Sequence, residues 1–158
     1  MIDVTQRPNS LPWPPVIYLA AIAVSFLLGV FVPLPWFRQP LSGIFFAIGW
    51  LMIAAFAALN IAAFRVMRRV GTTVRPDRGT DHLVMDGPFC FSRNPLYLAG
   101  IILILGIGLV SGVGWYLVFA IFAAFAVQRL AIEREEKHLQ ARFGKSYLDY
   151  EERVRRWI

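Results

Sequence analysis

The chain has 158 residues, of which 58% are hydrophobic and 16% charged. Soluble domains contain roughly 45–50% apolar residues, so this composition excludes an ordinary water-soluble fold. Sixteen Lys and Arg against ten Asp and Glu give a net charge of +6. Basic residues beside apolar segments are typical of membrane topology and of contact with anionic headgroups. We therefore expect membrane lipids, and no nucleic acid, as partners.

The first apolar stretches follow a polar, proline-rich segment, residues 1–15, in which Trp13 has the position of an interfacial anchor. Residues 16–32 and 44–64 are long enough for two membrane helices, which we place within residues 16–67. Their polar side chains are few, chiefly Ser25 and Asn60. We expect a scaffold role, with Asn60 either bonded to a neighbouring helix or lining a site.

The third apolar stretch, residues 96–127, is 32 residues long. One crossing needs only about 20 residues, and small residues around Gly112 interrupt the stretch near its middle. A hairpin of two short helices is therefore predicted, and one long helix kinked at the glycines is the alternative. The fold class that follows is an all-α integral membrane protein with about four transmembrane helices.

The basic residues are distributed unevenly about these helices. With four crossings, Arg38 is on one side and the other fifteen Lys and Arg are on the opposite side. The positive-inside rule then predicts that both termini are cytoplasmic. The small size and the lack of recognisable targeting signals favour a prokaryotic inner membrane.

The central loop, residues 68–95, differs from the rest of the chain. A polar, turn-rich part is followed by the apolar residues 83–85 and by a second turn at Gly87. Loops this long in compact proteins are commonly functional, and the interleaved Phe89 and Phe91 indicate packing. A disordered connector is the alternative.

The tail, residues 128–158, begins with a charged run that should extend the fourth helix into the cytoplasm. Gly144 is expected to break it, and Ser146 to Asp149 resembles a capping box that starts a second short helix. Apolar or aromatic residues recur at a spacing of three or four, so one face of the tail should pack. They are Leu139, Phe143, Tyr147, Tyr150 and Val154.

A hairpin brings the central loop and the tail to the same side of the membrane. Cations, carboxylates and aromatic groups then meet beside an apolar wall, which suits a charged cosubstrate and an apolar substrate. Taken alone, the Glu135–Glu136 pair is weak evidence, because such runs are usually solvated helix faces. A single cysteine, Cys90, and two histidines leave no basis for a structural metal site, so we expect none.

Five motifs in order resemble the isoprenylcysteine carboxyl methyltransferase and phospholipid methyltransferase superfamily. The resemblance covers residues 72–158, and the first two helices match only as hydrophobic helices. The motifs are GPF at 87–89, SRNPLY at 92–97, EEKHL at 135–139, FGKSYLDY at 143–150 and RVRRWI at 153–158.

The resemblance implies a methyltransferase that uses S-adenosyl-L-methionine, enclosed between the loop before the third helix and the extension after the fourth. Asn94 stands where the isoprenylcysteine branch commonly has histidine, and asparagine cannot titrate near neutral pH. The implied cofactor-binding residues are Leu83, Val84, Gly87, Phe89, Arg93, Asn94, Tyr97, Glu135 and Glu136.

Each charged or aromatic residue of this set has an expected role. Glu135 or Glu136 would pair with the ammonium group or ribose hydroxyls of the cofactor, and Arg93 with its carboxylate. Tyr97, together with Phe89, would pack on the adenine or the sulfonium of the cofactor. Arg129 would orient an anionic acceptor, and Arg129 and Asn94 are the candidate catalytic residues. The structural alternatives are that the arginines snorkel to headgroups and that Tyr97 is an interfacial anchor.

The sequence therefore predicts methyl transfer at the cytoplasmic membrane face to a lipophilic acceptor. Carboxyl O-methylation of an isoprenylcysteine-like substrate is the first expectation, and N-methylation of an aminophospholipid is the second. The rival from another class is a non-catalytic scaffold or transport subunit. Transporters place ionisable residues at mid-membrane, and the predicted helices have none there.

Overall fold

The computed structural model describes residues 13–70 and 83–158, and this part of the chain is helical without strands. Most of the predicted N-terminal segment and the polar half of the predicted loop lie outside the described residues. Short 3₁₀ and π segments occupy Gly87–Cys90 and Gln128–Ile132. The α-helices are α1 (Trp13–Phe31), α2 (Leu41–Val70), α3 (Pro95–Ser111), α4 (Trp115–Val127), α5 (Glu133–Phe143) and α6 (Lys145–Arg153).

The apolar helices have the lengths expected of an integral membrane protein. Within the described ranges, three helices are long and apolar enough to cross a bilayer: Trp13–Phe31, Leu41–Val70 and Trp115–Phe143, the last formed by α4, the π segment and α5. α3 is apolar but has 17 residues, about 26 Å at 1.5 Å per residue, slightly less than a hydrocarbon core of about 30 Å. The predicted all-α membrane class is confirmed.

Two pairs of helices form the bundle. α2 packs mainly on α3, and α1 packs on α4 and also touches α3. The α2–α3 backbones approach closely at Gly49, where an added Cβ would lie 2.8 Å from the carbonyl oxygen of Gly106. Small residues commonly allow such approach in membranes. Ala21, Ile104 and Ala120 lie buried where α1, α3 and α4 meet.

The predicted hairpin between α3 and α4 is confirmed, and a single kinked helix is excluded. α3 ends at Ser111, and Gly112 follows with a φ of 70°, in the left-handed region that side chains rarely adopt. α4 then begins at Trp115, whose indole nitrogen donates a hydrogen bond of 2.7 Å to the carbonyl oxygen of Val32.

The predicted extension of the fourth helix is also confirmed, since α5 continues directly from the π segment. The break at Gly144 is found as expected. The predicted capping box is wrong: α6 begins at Lys145 with Gly144 as its N-cap residue, and no side chain caps it.

Asn60 lies within α2. Its side-chain amide donates a hydrogen bond of 2.8 Å to the carbonyl oxygen of Phe56, one turn earlier in the same helix. Asn60 thus bonds its own helix.

The apolar face of the tail packs as predicted. Tyr147, Tyr150 and Val154 form a buried cluster. Leu139 and Phe143 of α5 and Leu83 of the loop pack against this cluster. The loop before α3 and the two helices after α4 thereby enclose one end of the bundle.

Candidate functional site

A pocket opens at the end of the bundle where α2, the loop before α3, α5 and α6 meet. Its cavity volume is about 80 Å³, room for several water molecules. The lining residues are Met67, Leu83, Val84, Phe89, Arg93, Asn94, Glu135, Glu136, Leu139, Tyr147 and Tyr150.

Glu135 projects into this pocket from the first turn of α5. Tyr97, in the first turn of α3, donates its hydroxyl to Oε2 of Glu135 at 2.8 Å. Tyr18 of α1 donates its own hydroxyl to the backbone carbonyl of Tyr97 at 2.9 Å. Tyr97 thus holds one oxygen of Glu135, Oε2, and Tyr18 anchors the backbone of Tyr97.

Glu136 is held between two arginines. Arg93 Nη2 lies 3.4 Å from Glu136 Oε1, and Arg156 donates from Nε and Nη2 to the two carboxylate oxygens at 3.0 and 2.7 Å. Arg93 Nη1 forms a second ion pair with Glu151. The Arg93 side chain is 8% exposed, and its Nε has no hydrogen-bond partner among the described residues. Since a buried guanidinium nitrogen normally has a partner, this donor is consistent with a bound anionic or polar group.

Two tyrosines of α6 complete the wall. The Tyr147 hydroxyl accepts a hydrogen bond of 3.2 Å from Arg93 Nη1, and burial raises the pKa of Tyr147 to about 12. The Tyr150 hydroxyl donates to the carbonyl of Phe89 at 2.7 Å, and burial raises its pKa above the ordinary value as well. Both phenols are therefore neutral near pH 7 and supply aromatic surface beside the charged groups.

Asn94 precedes the first residue of α3 and is 7% exposed. Its side-chain nitrogen donates a hydrogen bond of 3.1 Å to the carbonyl oxygen of Arg156. Its backbone nitrogen donates a second hydrogen bond, also 3.1 Å long, to the Ser92 hydroxyl. Asn94 therefore joins the loop to the segment that follows α6.

The structure brings most of the predicted site residues together. Seven of them line the pocket: Leu83, Val84, Phe89, Arg93, Asn94, Glu135 and Glu136.

Three predicted residues lie elsewhere. Tyr97 lies outside the lining and donates its hydroxyl to Glu135. Gly87 starts the 3₁₀ segment, where an added Cβ would meet the side chain of Val66 in α2. Arg129 is 58% exposed, 3.3 Å from Glu133 and 5.4 Å from the Phe125 ring centre. The Arg129 side chain is therefore not among the residues that line the pocket.

Four lining residues were not predicted as site residues: Met67, Leu139, Tyr147 and Tyr150. The spacing of Leu139, Tyr147 and Tyr150 had indicated a packed face, but helical spacing does not distinguish a core from a pocket wall. Glu151 and Arg156, which pair with Arg93 and Glu136, were also missed, because an ion pair between distant residues has no local signature.

The family comparison bears on what the pocket does. The sequence model of the Phospholipid methyltransferase family matches residues 44–146, which is 103 of the chain's 158 residues. The chain belongs to the phospholipid methyltransferase family. This family is part of the isoprenylcysteine carboxyl methyltransferase type of membrane methyltransferases, so the predicted resemblance is confirmed. No curated protein and no solved structure matches the chain significantly.

The family match begins in α2, upstream of the motifs recognised in the sequence, and ends at Ser146. Tyr147, Tyr150, Glu151 and Arg156 therefore lie beyond it. The matched region supplies both glutamates and Arg93, and the residues after it complete the pocket wall.

The chemistry of the pocket fits the cofactor implied by a methyltransferase of this family. S-adenosylmethionine carries a sulfonium and an ammonium group beside one carboxylate. Among the described lining residues the ionisable groups of matching charge are two glutamates, Glu135 and Glu136, and one arginine, Arg93. Phe89, Tyr147 and Tyr150 supply the aromatic surface that an adenine or a sulfonium prefers.

Proposed function

We propose that the protein transfers a methyl group from S-adenosylmethionine to a lipophilic acceptor at the cytoplasmic face of the membrane. The observation that carries the proposal is Glu135, a half-buried carboxylate that lines a pocket at the end of apolar helices with one oxygen held by Tyr97. A carboxylate withdrawn from water needs a partner, and a cationic ligand is a suitable one. The cytoplasmic assignment rests on the predicted topology, in which fifteen of the sixteen Lys and Arg are on one side of the membrane.

The pocket residues would hold the cofactor by charge and by aromatic contact. Glu135 Oε1 would accept a hydrogen bond from the ammonium group or a ribose hydroxyl. Arg93 would donate from Nε to the carboxylate. The cofactor supplies an electrophilic methyl group on a positively charged sulfur.

Positioning and exclusion of water are the main contributions of the chain to such a transfer. The nucleophile must lie in line with the methyl–sulfur bond, and water must be kept from competing. Met67, Leu139 and Phe89 line the same pocket as the charged groups and supply apolar surface there. Met67 lies near the end of α2, so an acceptor with an acyl or prenyl chain would have its apolar part beside the helices.

The placement of the charges favours an amine acceptor over a carboxylate. Arg129, the residue expected to orient a carboxylate, lies outside the pocket, and Arg93 already faces Glu136 and Glu151. A carboxylate acceptor would therefore approach two glutamates without a dedicated cation from the described residues. An amine would approach carboxylates of opposite charge, so we place an aminophospholipid first and an isoprenylcysteine-like carboxylate second.

Transfer to an amine also needs a proton acceptor. The nitrogen lone pair forms the bond to the methyl carbon, the carbon–sulfur bond breaks, and its electron pair stays on sulfur in S-adenosylhomocysteine. An aminolipid headgroup is an ammonium ion near pH 7, so it must first lose a proton to expose this lone pair. A pocket carboxylate would take that proton, and the methylated nitrogen then carries the positive charge that leaves the sulfur.

Calorimetric titration of the detergent-purified protein with S-adenosylhomocysteine tests the cofactor site. We expect saturable binding by the wild type and at least a tenfold loss in Glu135→Gln, since a hydrogen bond to a charged group is lost. Glu133→Gln is the matched control, because Glu133 lies in the same helical turn but pairs with Arg129 outside the pocket. Absence of binding by folded wild type would contradict the proposal.

The acceptor is tested separately with a labelled methyl donor. Vesicles containing phosphatidylethanolamine and vesicles containing an S-farnesylated thiol acid are offered in parallel. An N-methyl product keeps its label in alkali, whereas a methyl ester releases it as methanol. We expect alkali-stable label with the aminolipid. Alkali-labile label from the farnesylated acid alone would leave the methyltransferase standing and reverse the order of the two acceptors.

A further inference from the structure

Residues 154–158, here named the strap, run back from α6 across the pocket end of the bundle. They lie beyond the residues matched by the family model, which end at 146. The sequence places Val154 on the packed face of the tail and predicts no individual role for the other four. Their contacts nevertheless reach three consecutive residues before α3 and one of the two pocket glutamates.

Apolar contacts fix the strap on both sides of Arg156. Val154 is buried in the cluster with Tyr147 and Tyr150. Trp157 packs against the cluster that contains Ile132, and its indole nitrogen donates 3.1 Å to the Gln128 side chain in the π segment. With both sides anchored, Arg156 has little freedom in where it places its backbone and side chain.

The strap backbone binds the loop before α3. The backbone nitrogen of Arg93 donates 3.0 Å to the carbonyl of Arg155. The carbonyl of Arg156 accepts from the Asn94 side chain at 3.1 Å and from the Ser92 hydroxyl at 3.4 Å. The strap therefore determines where Arg93 and Asn94 enter the pocket.

The Arg156 side chain binds Glu136 through two donors, a fork geometry that fixes the plane of the carboxylate. Glu136 is 12% exposed and is also 3.4 Å from Arg93. Without Arg156, Glu136 would rotate toward Arg93, its remaining described ion-pair partner, and would compete more strongly with a ligand for that guanidinium.

We propose that Arg156 is a positioning residue: it fixes Glu136 and thereby holds Arg93 ready for the anionic end of the cofactor. This inference rests on the proposed function. The two adjacent glutamates then have different roles. Glu136 is neutralised by two arginines, whereas Glu135 has the Tyr97 hydroxyl as its described hydrogen-bond partner. Glu135 is then the carboxylate that receives the cation of the ligand, and Glu136 is part of the frame.

Binding of S-adenosylhomocysteine to single variants provides the first test. We expect Arg156→Gln to weaken affinity about tenfold, as loss of a charge-assisted hydrogen-bonded pair does. Arg156→Lys should restore part of it, since lysine keeps the charge but loses the fork. Arg155→Gln is the matched control, because it removes the same charge from an exposed neighbour. Equal affinities of Arg156→Gln and Arg155→Gln would overturn the proposal.

A double variant separates positioning from general damage to the fold. If Arg156 acts through Glu136, adding Arg156→Gln to Glu136→Gln should weaken binding by less than twofold further. A full additional tenfold loss would show that Arg156 does not act through Glu136. Misfolding would lower the number of binding sites in the titration, whereas the proposal predicts a changed dissociation constant with unchanged stoichiometry.

Hydrogen exchange of the ligand-free protein tests the strap without any cofactor. Exchange at the Arg93 amide, which donates to the strap, should be faster in Arg156→Gln than in wild type or Arg155→Gln. Unchanged exchange there would overturn the positioning role. If wild type fails to bind S-adenosylhomocysteine, the proposed function fails, and the exchange rates still decide whether Arg156 holds the loop.

Discussion

The two ends of the α3–α4 hairpin are built in different ways. At the turn, between Ser111 and Trp115, the chain reverses through Gly112 and contacts neighbouring segments through tryptophans without any charged residue. At the opposite end, Arg93 before α3 and Glu136 in α5 meet Arg156 from a distant part of the sequence. Local backbone preference forms the turn, and contacts between distant residues form the pocket.

This difference predicts which property each end controls. A substitution at the turn changes the free energy of unfolding but leaves the pocket side chains in place. A substitution in the pocket changes ligand affinity as well, because the same ion pairs hold the loop and shape the site. Variants at the two ends therefore separate stability from ligand affinity.

Arg93→Gln should cause the largest loss of both stability and ligand affinity. It removes the ion pairs with Glu136 and Glu151 and leaves acidic groups around the pocket with one cation fewer. Removing one partner of a buried ion pair costs about 3 kcal/mol in unfolding free energy. Affinity for S-adenosylhomocysteine should fall about a hundredfold, equivalent to about 2.8 kcal/mol. Denaturant unfolding in detergent and calorimetry measure the two quantities.

Arg129→Gln is the control for Arg93. Arg129 is 58% exposed and pairs with Glu133 one turn away, so its loss should change the unfolding free energy by about 0.5 kcal/mol or less. Its effect on S-adenosylhomocysteine affinity should be within error. A large loss of affinity in Arg129→Gln would show that the described pocket is not the ligand site.

Tyr97→Phe should have a smaller effect that appears mainly in affinity. It removes the hydroxyl that holds Glu135 Oε2 but keeps the ring in the helix packing. A hydrogen bond to a charged group contributes about 1.5–3 kcal/mol, so we expect roughly a tenfold loss of S-adenosylhomocysteine affinity. Tyr116→Phe is the control, because Tyr116 is buried in the α1–α3–α4 core away from the pocket. Equal affinities of the two variants would refute the role of Tyr97 in holding Glu135.

Much of the fold could be predicted from the sequence because its signals are local. Apolar length marked the helices, small residues marked the turn at Gly112, and Gly144 marked the break after α5. The capping box was mispredicted because the sequence from Ser146 to Asp149 has the residues of such a box, yet the N-cap residue is Gly144, two residues before Ser146. The π segment gave no signal, since its residues fit a continuous helix equally well.

The pocket could be predicted only where motifs carried it. Arg93, Asn94, Glu135 and Glu136 belong to recognisable motifs and lie together in the structure. The charge of Arg129 and its place at a helix end predict a site residue, but its side chain contacts Glu133 and Phe125. The direction in which a helical side chain points depends on the number of residues per turn. The π segment includes Arg129 and has wider turns, so it changes the facing of side chains between α4 and α5.

Gly112→Ala should affect stability without affecting ligand affinity, which makes it the sharpest test of the turn. Gly112 has a φ of 70°, and an added Cβ would also lie 3.1 Å from Cδ1 of Trp36. A non-glycine residue there costs about 1–2 kcal/mol in unfolding free energy. Thermal unfolding measures this cost, and S-adenosylhomocysteine affinity should be unchanged because the turn lies at the other end of α3.

Gly114→Ala is the matched control two residues away. Gly114 has a φ of −61°, which any residue adopts, and its added Cβ would make an ordinary contact of 3.4 Å with Leu34. Alanine there should be neutral or stabilise slightly, by about 0.5 kcal/mol, because it restricts the unfolded chain. If both alanine variants were equally destabilised, packing against residues 34–36 rather than backbone conformation would determine the turn, and the two ends of the hairpin would then both depend on contacts between distant residues.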